Sequence, residues 1–94
     1  MTQRFRIEDE LHDEPMDGEF TSFQAALAEV RNLVAIPWGE PPNQAPCQGW
    51  KTCGRRYEIV EYDTSTRPHW TERGRTSVVD VMSDGLKWHI QENG

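Results

Sequence analysis

The chain contains one stretch in which apolar residues recur at intervals of three, one, three, three and one: Phe23, Ala26, Leu27, Val30, Leu33 and Val34. This spacing places the six side chains on one face of an α-helix. We expect Thr21 or Ser22 to cap the helix, because a hydroxyl there can accept a hydrogen bond from a free backbone N–H of the first turn. Thr21 and Gln24 also have the spacing of a capping box. Pro37 ends the run, since the residue before a proline avoids the helical conformation.

Other parts of the chain carry the patterns of β-strands. Apolar and charged residues alternate around residues 5–7, which predicts a short, half-buried strand. Residues 57–62 and 77–82 are rich in β-branched and aromatic side chains, and residues 86–90 alternate between apolar and polar ones. The Asp84-Gly85 pair before the last strand can adopt the positive φ angles of a tight hairpin turn. The sequence therefore predicts one strand, then one helix, then three further strands.

This order of elements predicts an α+β fold. We expect an antiparallel sheet of three to four strands, covered on one face by a single helix. A chain of 94 residues has room for one hydrophobic core, so we assign residues 1–94 to a single domain. Residues 13–18 are predicted to form a turn. The pattern does not indicate which of the other strands lies beside the first strand in the sheet.

Two long connections interrupt the pattern. Residues 37–54 contain four of the six prolines, three of the seven glycines, both cysteines and two tryptophans, and residues 63–75 link two predicted strands. Connections beyond about 12–15 residues without secondary structure are uncommon in compact domains and are often functional. Tryptophan and cysteine are unusual in a disordered tether. We therefore expect residues 37–54 to be ordered and held against the sheet by their indole rings.

The composition is poor in aliphatic residues and acidic. Leu, Ile, Val and Phe make up only 17 of the 94 residues, and the net charge is −6. Such values approach those of disordered chains, but each of the four tryptophans can bury on the order of 200 Å². The sequence thus predicts a folded chain whose core depends on aromatic side chains.

Charge and hydropathy also exclude several classes of partner. Residues 1–40 carry nine acidic residues against three arginines, whereas residues 41–94 carry seven charges of each sign. An acidic total argues against binding to duplex nucleic acid, which depends on neutralising phosphates. No stretch has the length and apolarity of a signal peptide or a membrane span. We therefore expect a cytoplasmic protein that acts away from the membrane.

Cys47 and Cys53 suggest a zinc site. Thiolates bind zinc well, and His69 or His89 would complete a tetrahedral ligand set. Against this hypothesis, the cysteines are separated by five residues, whereas structural zinc pairs are usually two to four residues apart. The alternatives are two reduced, buried cysteines or a regulatory disulfide.

His69 suggests an enzyme. A neighbouring carboxylate would orient the imidazole as a general base, while Arg67 or Arg73 would bind an anionic substrate. The chain has no nucleophile elbow, no phosphate-binding glycine loop and no metalloprotease helix motif. Because these motifs are absent, an enzyme with His69 as general base is an alternative hypothesis and not the favoured one.

The two connections concentrate residue types that are frequent in protein interfaces: Trp38, Trp50, Arg67, His69, Trp70 and Arg73. Trp, Tyr and Arg dominate binding hot spots, although the same indole rings would also serve to fasten loops onto the sheet. Arginines interleaved with aromatics are typical of single-stranded nucleic-acid binding as well, but acidic residues among them favour cross-strand ion pairs. The favoured hypothesis is a non-enzymatic interaction or accessory module that uses residues 37–54 and 63–75. Its partner would be another protein, or a second copy bound through an exposed strand edge.

Overall fold

The computed structural model describes residues 3–12, 14–16, 18–37, 40–43, 54–65, 69–82 and 85–90. These residues form one helix and five strands, in the order β1 (Gln3–Asp9), β2 (Glu14–Pro15), α1 (Phe23–Val34), β3 (Arg55–Asp63), β4 (Thr71–Met82) and β5 (Gly85–Trp88). All neighbouring strands are antiparallel, in the spatial order β2-β1-β3-β4-β5. The predicted α+β fold is confirmed. The sheet has one strand more than expected, because the two-residue β2 adds to the edge beside β1.

The helix forms where the apolar spacing predicts it. Ser22 is the N-cap, and its Oγ accepts a hydrogen bond from the N–H of Ala25 at 3.1 Å. Of the two predicted caps, Ser22 is therefore the one used. Three side chains of α1 are buried toward the sheet: Ala26, Leu27 and Val30.

The core lies between α1 and the sheet, where α1 packs against β1 and β3. Strands β1, β3 and β4 contribute these residues to it: Phe5, Ile7, Tyr57, Ile59, Val78, Val79 and Val81. Among the described residues this core is mainly aliphatic, with Phe5 and Tyr57 as its buried aromatics. We call this side of the sheet the helix face and the opposite side the open face.

The strand β4 begins earlier than the sequence predicts. The sequence assigns residues 71–75 to a connection over 63–75, but these residues belong to β4, so the connection comprises only residues 64–70. These residues are polar and exposed, so no apolar alternation signals the strand. The ladder with β3 contains two register shifts, which leave Arg73 and Val78 as extra residues in β4.

The connection after α1 is fastened to the sheet by an amide side chain. Asn43 is fully buried, and its Nδ2 donates hydrogen bonds to the carbonyls of Leu33 and Ile36 at 2.8 and 2.6 Å. Its Oδ1 accepts a hydrogen bond from the Tyr57 hydroxyl. Asn43 therefore joins the C-terminal end of α1 to β3.

Candidate functional site

The structure describes three of the predicted site residues: His69 and Trp70 lie at the end of the β3–β4 connection, and Arg73 lies near the start of β4. The other predicted site residues lie outside the described part of the chain: Trp38, Cys47, Trp50, Cys53 and Arg67.

Trp70 stacks with two side chains on the open face. Its ring centroid lies 6.1 Å from that of Tyr62, with the rings inclined at 53°. The guanidinium carbon of Arg6 lies 4.3 Å from the Trp70 centroid and 5.7 Å from the Tyr62 centroid. Arg6 also forms an ion pair with Glu19 at 3.0 Å. The result is a half-buried group of one indole, one phenol and one guanidinium, which we call the Trp70 cluster.

A carboxylate network adjoins the Trp70 cluster. The Tyr62 hydroxyl donates a hydrogen bond to Glu8, which lies directly opposite Glu58 in the sheet. Arg75 contacts Glu58, and it donates two hydrogen bonds of 2.7 Å to Glu72. Its Nη1 lies 3.5 Å from Glu8. One guanidinium thus joins three carboxylates.

The register shift at Arg73 makes this network possible. Glu72 and Arg75 are three residues apart, a spacing that would place them on opposite faces of a regular strand. Because Arg73 is an extra residue, Glu72 pairs opposite Tyr62 while Arg75 pairs opposite Val60. Both side chains therefore lie on the open face.

Burial and hydrogen bonding determine the ionisation of the network. Burial raises the pKa of Tyr62 to about 12, and the hydrogen bond to Glu8 acts in the same direction. Burial also raises the pKa of Glu58, although Arg75 opposes this shift. The hydrogen bonds to Glu72 raise the pKa of Arg75. At neutral pH, Tyr62 is therefore a hydrogen-bond donor and Arg75 a fixed cation.

The open face carries a second ionic group beside β5. Arg56 donates to both carboxylate oxygens of Asp80, from Nε at 2.8 Å and from Nη2 at 3.3 Å. Nε2 of His89 lies 2.9 Å from Asp80 Oδ1. Burial acts to raise the pKa of Asp80, but the hydrogen bonds from Arg56 and His89 hold it below its usual range.

We expect Asp80→Asn to lower the free energy of unfolding by about 2 kcal/mol at neutral pH, because it removes a charge that accepts hydrogen bonds from Arg56. A carboxyl group with a lowered pKa in the folded state stabilises the fold above its unfolded pKa, and this stabilisation is lost as the pH falls through the folded value. The difference between variant and wild type should therefore shrink below about pH 4. Urea unfolding at several pH values between neutral and acidic measures this difference in the free energy of unfolding.

Glu58→Gln is the matched control, since it makes the same chemical change on the same face. The pKa of Glu58 is raised, so its ionised form is disfavoured by folding. This variant should be as stable as the wild type or more stable at neutral pH. Equal destabilisation by the two substitutions would contradict the assignment of opposite pKa shifts.

A third ionic group anchors the start of β3 on the helix face. Asp9 is fully buried, and its carboxylate lies 2.9 Å from Nη1 of Arg55. The carboxylate also accepts hydrogen bonds from the backbone N–H groups of Leu11 and Arg56, at 3.0 and 3.1 Å, and lies 2.7 Å from Nδ1 of His12. Adjacent arginines of β3 therefore bind aspartates on opposite faces of the sheet.

The described parts of the two connections lie apart. Asn43 contacts Tyr57 near the start of β3 on the helix face, whereas Trp70 contacts Tyr62 near its end on the open face. Five residues along a strand span about 17 Å. In the described part of the chain, residues 40–43 and 69–75 therefore do not form one surface.

Two alternative hypotheses concern an enzyme with His69 as general base and a zinc site at Cys47 and Cys53. The histidines with a carboxylate partner shown above are His12 and His89, while His69 is exposed. Within the described ranges, no group of three or more His, Cys, Asp or Glu side chains could hold a metal ion. The zinc hypothesis concerns Cys47 and Cys53, which lie outside those ranges. Both hypotheses stay predictions.

The sequence interpretation missed Arg6 and Tyr62 as neighbours of Trp70, and Glu8 as the acceptor of the Tyr62 hydrogen bond. The period-two pattern of β1 does place Arg4, Arg6 and Glu8 on one face. Their proximity to Trp70 depends on the pairing of β1 with β3, which local patterns do not reveal.

No family model, curated protein or solved structure matches this chain. Over the described residues, no helix has both the length and the apolar character needed to cross a membrane.

Proposed function

We propose that this protein is a non-enzymatic interaction module that binds another protein through the Trp70 cluster. The observation that carries the proposal is the half-buried stack of Arg6, Tyr62 and Trp70 beside the end of β3. These are the three residue types most enriched in binding hot spots. The cluster includes Trp70 of the predicted surface over residues 37–54 and 63–75, and most of residues 37–54 lie outside the described part of the chain.

The surroundings of the cluster support this choice. Charged side chains cover the middle of the open face around Val60. Val60 is fully buried, although it is not part of the core cluster beneath α1, and it pairs opposite Arg6 and Arg75. Long arginine side chains cover apolar surface in this way. The aromatic rings near the β3–β4 connection are therefore the part of this face best suited to a partner.

We expect Trp70→Ala to abolish capture of the partner while the fold survives. Loss of the cation–π contact and the aromatic pair should cost about 1–2 kcal/mol of stability. The tagged protein and the variant would be used to capture binding proteins from cells of the source organism, identified by mass spectrometry. The captured protein would then be purified and titrated against both forms.

Leu86→Ala provides the control, because Leu86 is an exposed apolar residue on β5, which pairs with the opposite end of β4. It should retain the partner. If Trp70→Ala fails to fold, Arg6→Gln removes the cation of the stack and leaves both rings in place. Identical captured proteins for the wild type and a folded cluster variant would overturn the proposal.

A further inference from the structure

We infer that the outer edge of β4, over residues 72–77, binds an extended acidic segment of the partner as an additional strand. This inference rests on the proposed function and specifies how the partner binds. The segment would place an aromatic side chain over Gly74 and a carboxylate beside Arg73.

The edge is open in the described part of the chain. β5 pairs with residues 79–82 of β4 only, and the next contact is the N–H of His89, which donates to the carbonyl of Val78 at 2.7 Å. The described residues provide no strand alongside residues 72–77. A strand bound there would continue the line of β5.

The hydrogen-bond pattern shows which groups face outward. Phe5 exchanges both of its backbone hydrogen bonds with Phe20, on the side away from β3. In antiparallel ladders, successive residues direct their backbone groups to alternate sides. The backbone groups of the even-numbered residues of β1 therefore bond to β3. Within β3, the backbone groups of the odd-numbered residues Ile59 and Glu61 bond to β4.

The partners of Ile59 and Glu61 in β4 are Thr76 and Gly74, whose backbone groups accordingly face β3. The alternate residues, Arg75 and Ser77, direct their N–H and C=O groups to the outer edge. Each offers one donor and one acceptor to an added strand, which is how extended peptides gain affinity at a sheet edge.

Gly74 follows the extra residue Arg73, where a glycine suits the β-bulge, and it also leaves open space at the sheet edge. Its φ lies outside the left-handed region, and an added Cβ would meet no atom within 4 Å. Glycine inside a strand costs about 0.5–1 kcal/mol relative to alanine and often marks a place where another backbone or ligand approaches closely. An aromatic side chain from a neighbouring strand can cover such a glycine.

Charge indicates the chemistry of the segment. Arg73 is exposed, and its charge adds to the hydrogen bonds from Ser65 that lower the pKa of Asp63. Arg75, in contrast, is held by Glu72 and Glu58. A partner carboxylate would complement Arg73. A second copy of this chain fits less well, because antiparallel pairing about Gly74 would oppose Arg73 to Arg75 of the other copy, and like charges directly opposite destabilise a sheet.

The test uses a phage-displayed library of random linear peptides, selected on the full chain. We expect enriched peptides with an aromatic residue and Asp or Glu nearby. Ser77→Pro should weaken the binding of a synthesised peptide at least about tenfold, since it removes an outward N–H. Thr76→Pro is the structural control, because it removes an inward N–H and should destabilise the fold.

Two further variants test the side-chain contacts. Gly74→Val should retain thermal stability, because valine favours strands and has space here, yet it should weaken binding by excluding the aromatic ring. Arg73→Glu should change the selected peptides from acidic to basic. Ser77→Pro and Gly74→Val variants that fold and bind the peptide as tightly as the wild type, or an absence of enrichment, would overturn the inference.

The remaining outcomes separate this inference from the proposed function. A captured partner that is lost with Trp70→Ala but retained with Ser77→Pro and Gly74→Val would preserve the proposed function and refute strand addition. A dimer in solution that Ser77→Pro abolishes would assign the edge to a second copy and overturn the peptide proposal.

Discussion

Asp9→Asn is expected to lower the free energy of unfolding by about 3–5 kcal/mol, because it removes the fully buried carboxylate that pairs with the buried guanidinium of Arg55. Asp9 is fully buried, and only 5% of the Arg55 side chain is exposed. The neutral amide can still accept hydrogen bonds from the backbone N–H groups of Leu11 and Arg56, but it does not balance the charge of Arg55. Urea unfolding at neutral pH measures the loss.

Glu14→Gln is the reference for this experiment. Glu14 contacts the same guanidinium at 3.4 Å, but 42% of its side chain is exposed. Exposed ion pairs contribute about 0–1 kcal/mol, so this variant should differ little from the wild type. A loss below about 1 kcal/mol for Asp9→Asn would show that Arg55 finds other stabilisation and that the pair does not anchor the start of β3.

Asn43→Ala is expected to cost about 3 kcal/mol, since it removes the hydrogen bonds to Leu33 in α1 and to Ile36 just after it, and leaves the buried Tyr57 hydroxyl without its acceptor. Burial raises the pKa of Tyr57 to about 12, so this hydroxyl stays protonated and needs an acceptor at neutral pH. Thermal and urea unfolding measure the loss.

Tyr57→Phe separates the two roles of Asn43. This variant removes the hydroxyl but retains the hydrogen bonds to Leu33 and Ile36, so it should cost about 1–2 kcal/mol. The double variant should be more stable than the sum of the two losses predicts, because both substitutions break the same hydrogen bond. Full additivity would show that the Asn43–Tyr57 contact contributes nothing.

These two experiments concern the end of the sheet where the long connection begins and ends. The sequence suggests that indole rings hold residues 37–54 in place. In the described part of that segment the anchor is the amide of Asn43. A buried amide that binds helix carbonyls and a phenol at once has no signature in local sequence, since its partners lie 7, 10 and 14 residues away.

The sequence by itself determined the elements whose signals are local. The spacing of Ala26, Leu27 and Val30 specifies α1, because a helix returns the same face every three to four residues. The alternation around Phe5 and Ile7 specifies β1 in the same way, with a period of two. The fold class follows from the order of these elements.

Only the tertiary structure decided which strands are neighbours and which side chains meet. Arg6 and Tyr62 are 56 positions apart in sequence, and they lie close because β1 pairs with β3 in one particular register. Residues 71–76 become a strand through the same ladder, although their own side chains are polar. Pairing between distant segments depends on the burial and hydrogen bonding of the whole sheet, so the Trp70 cluster emerges at that level and not from any single stretch of the chain.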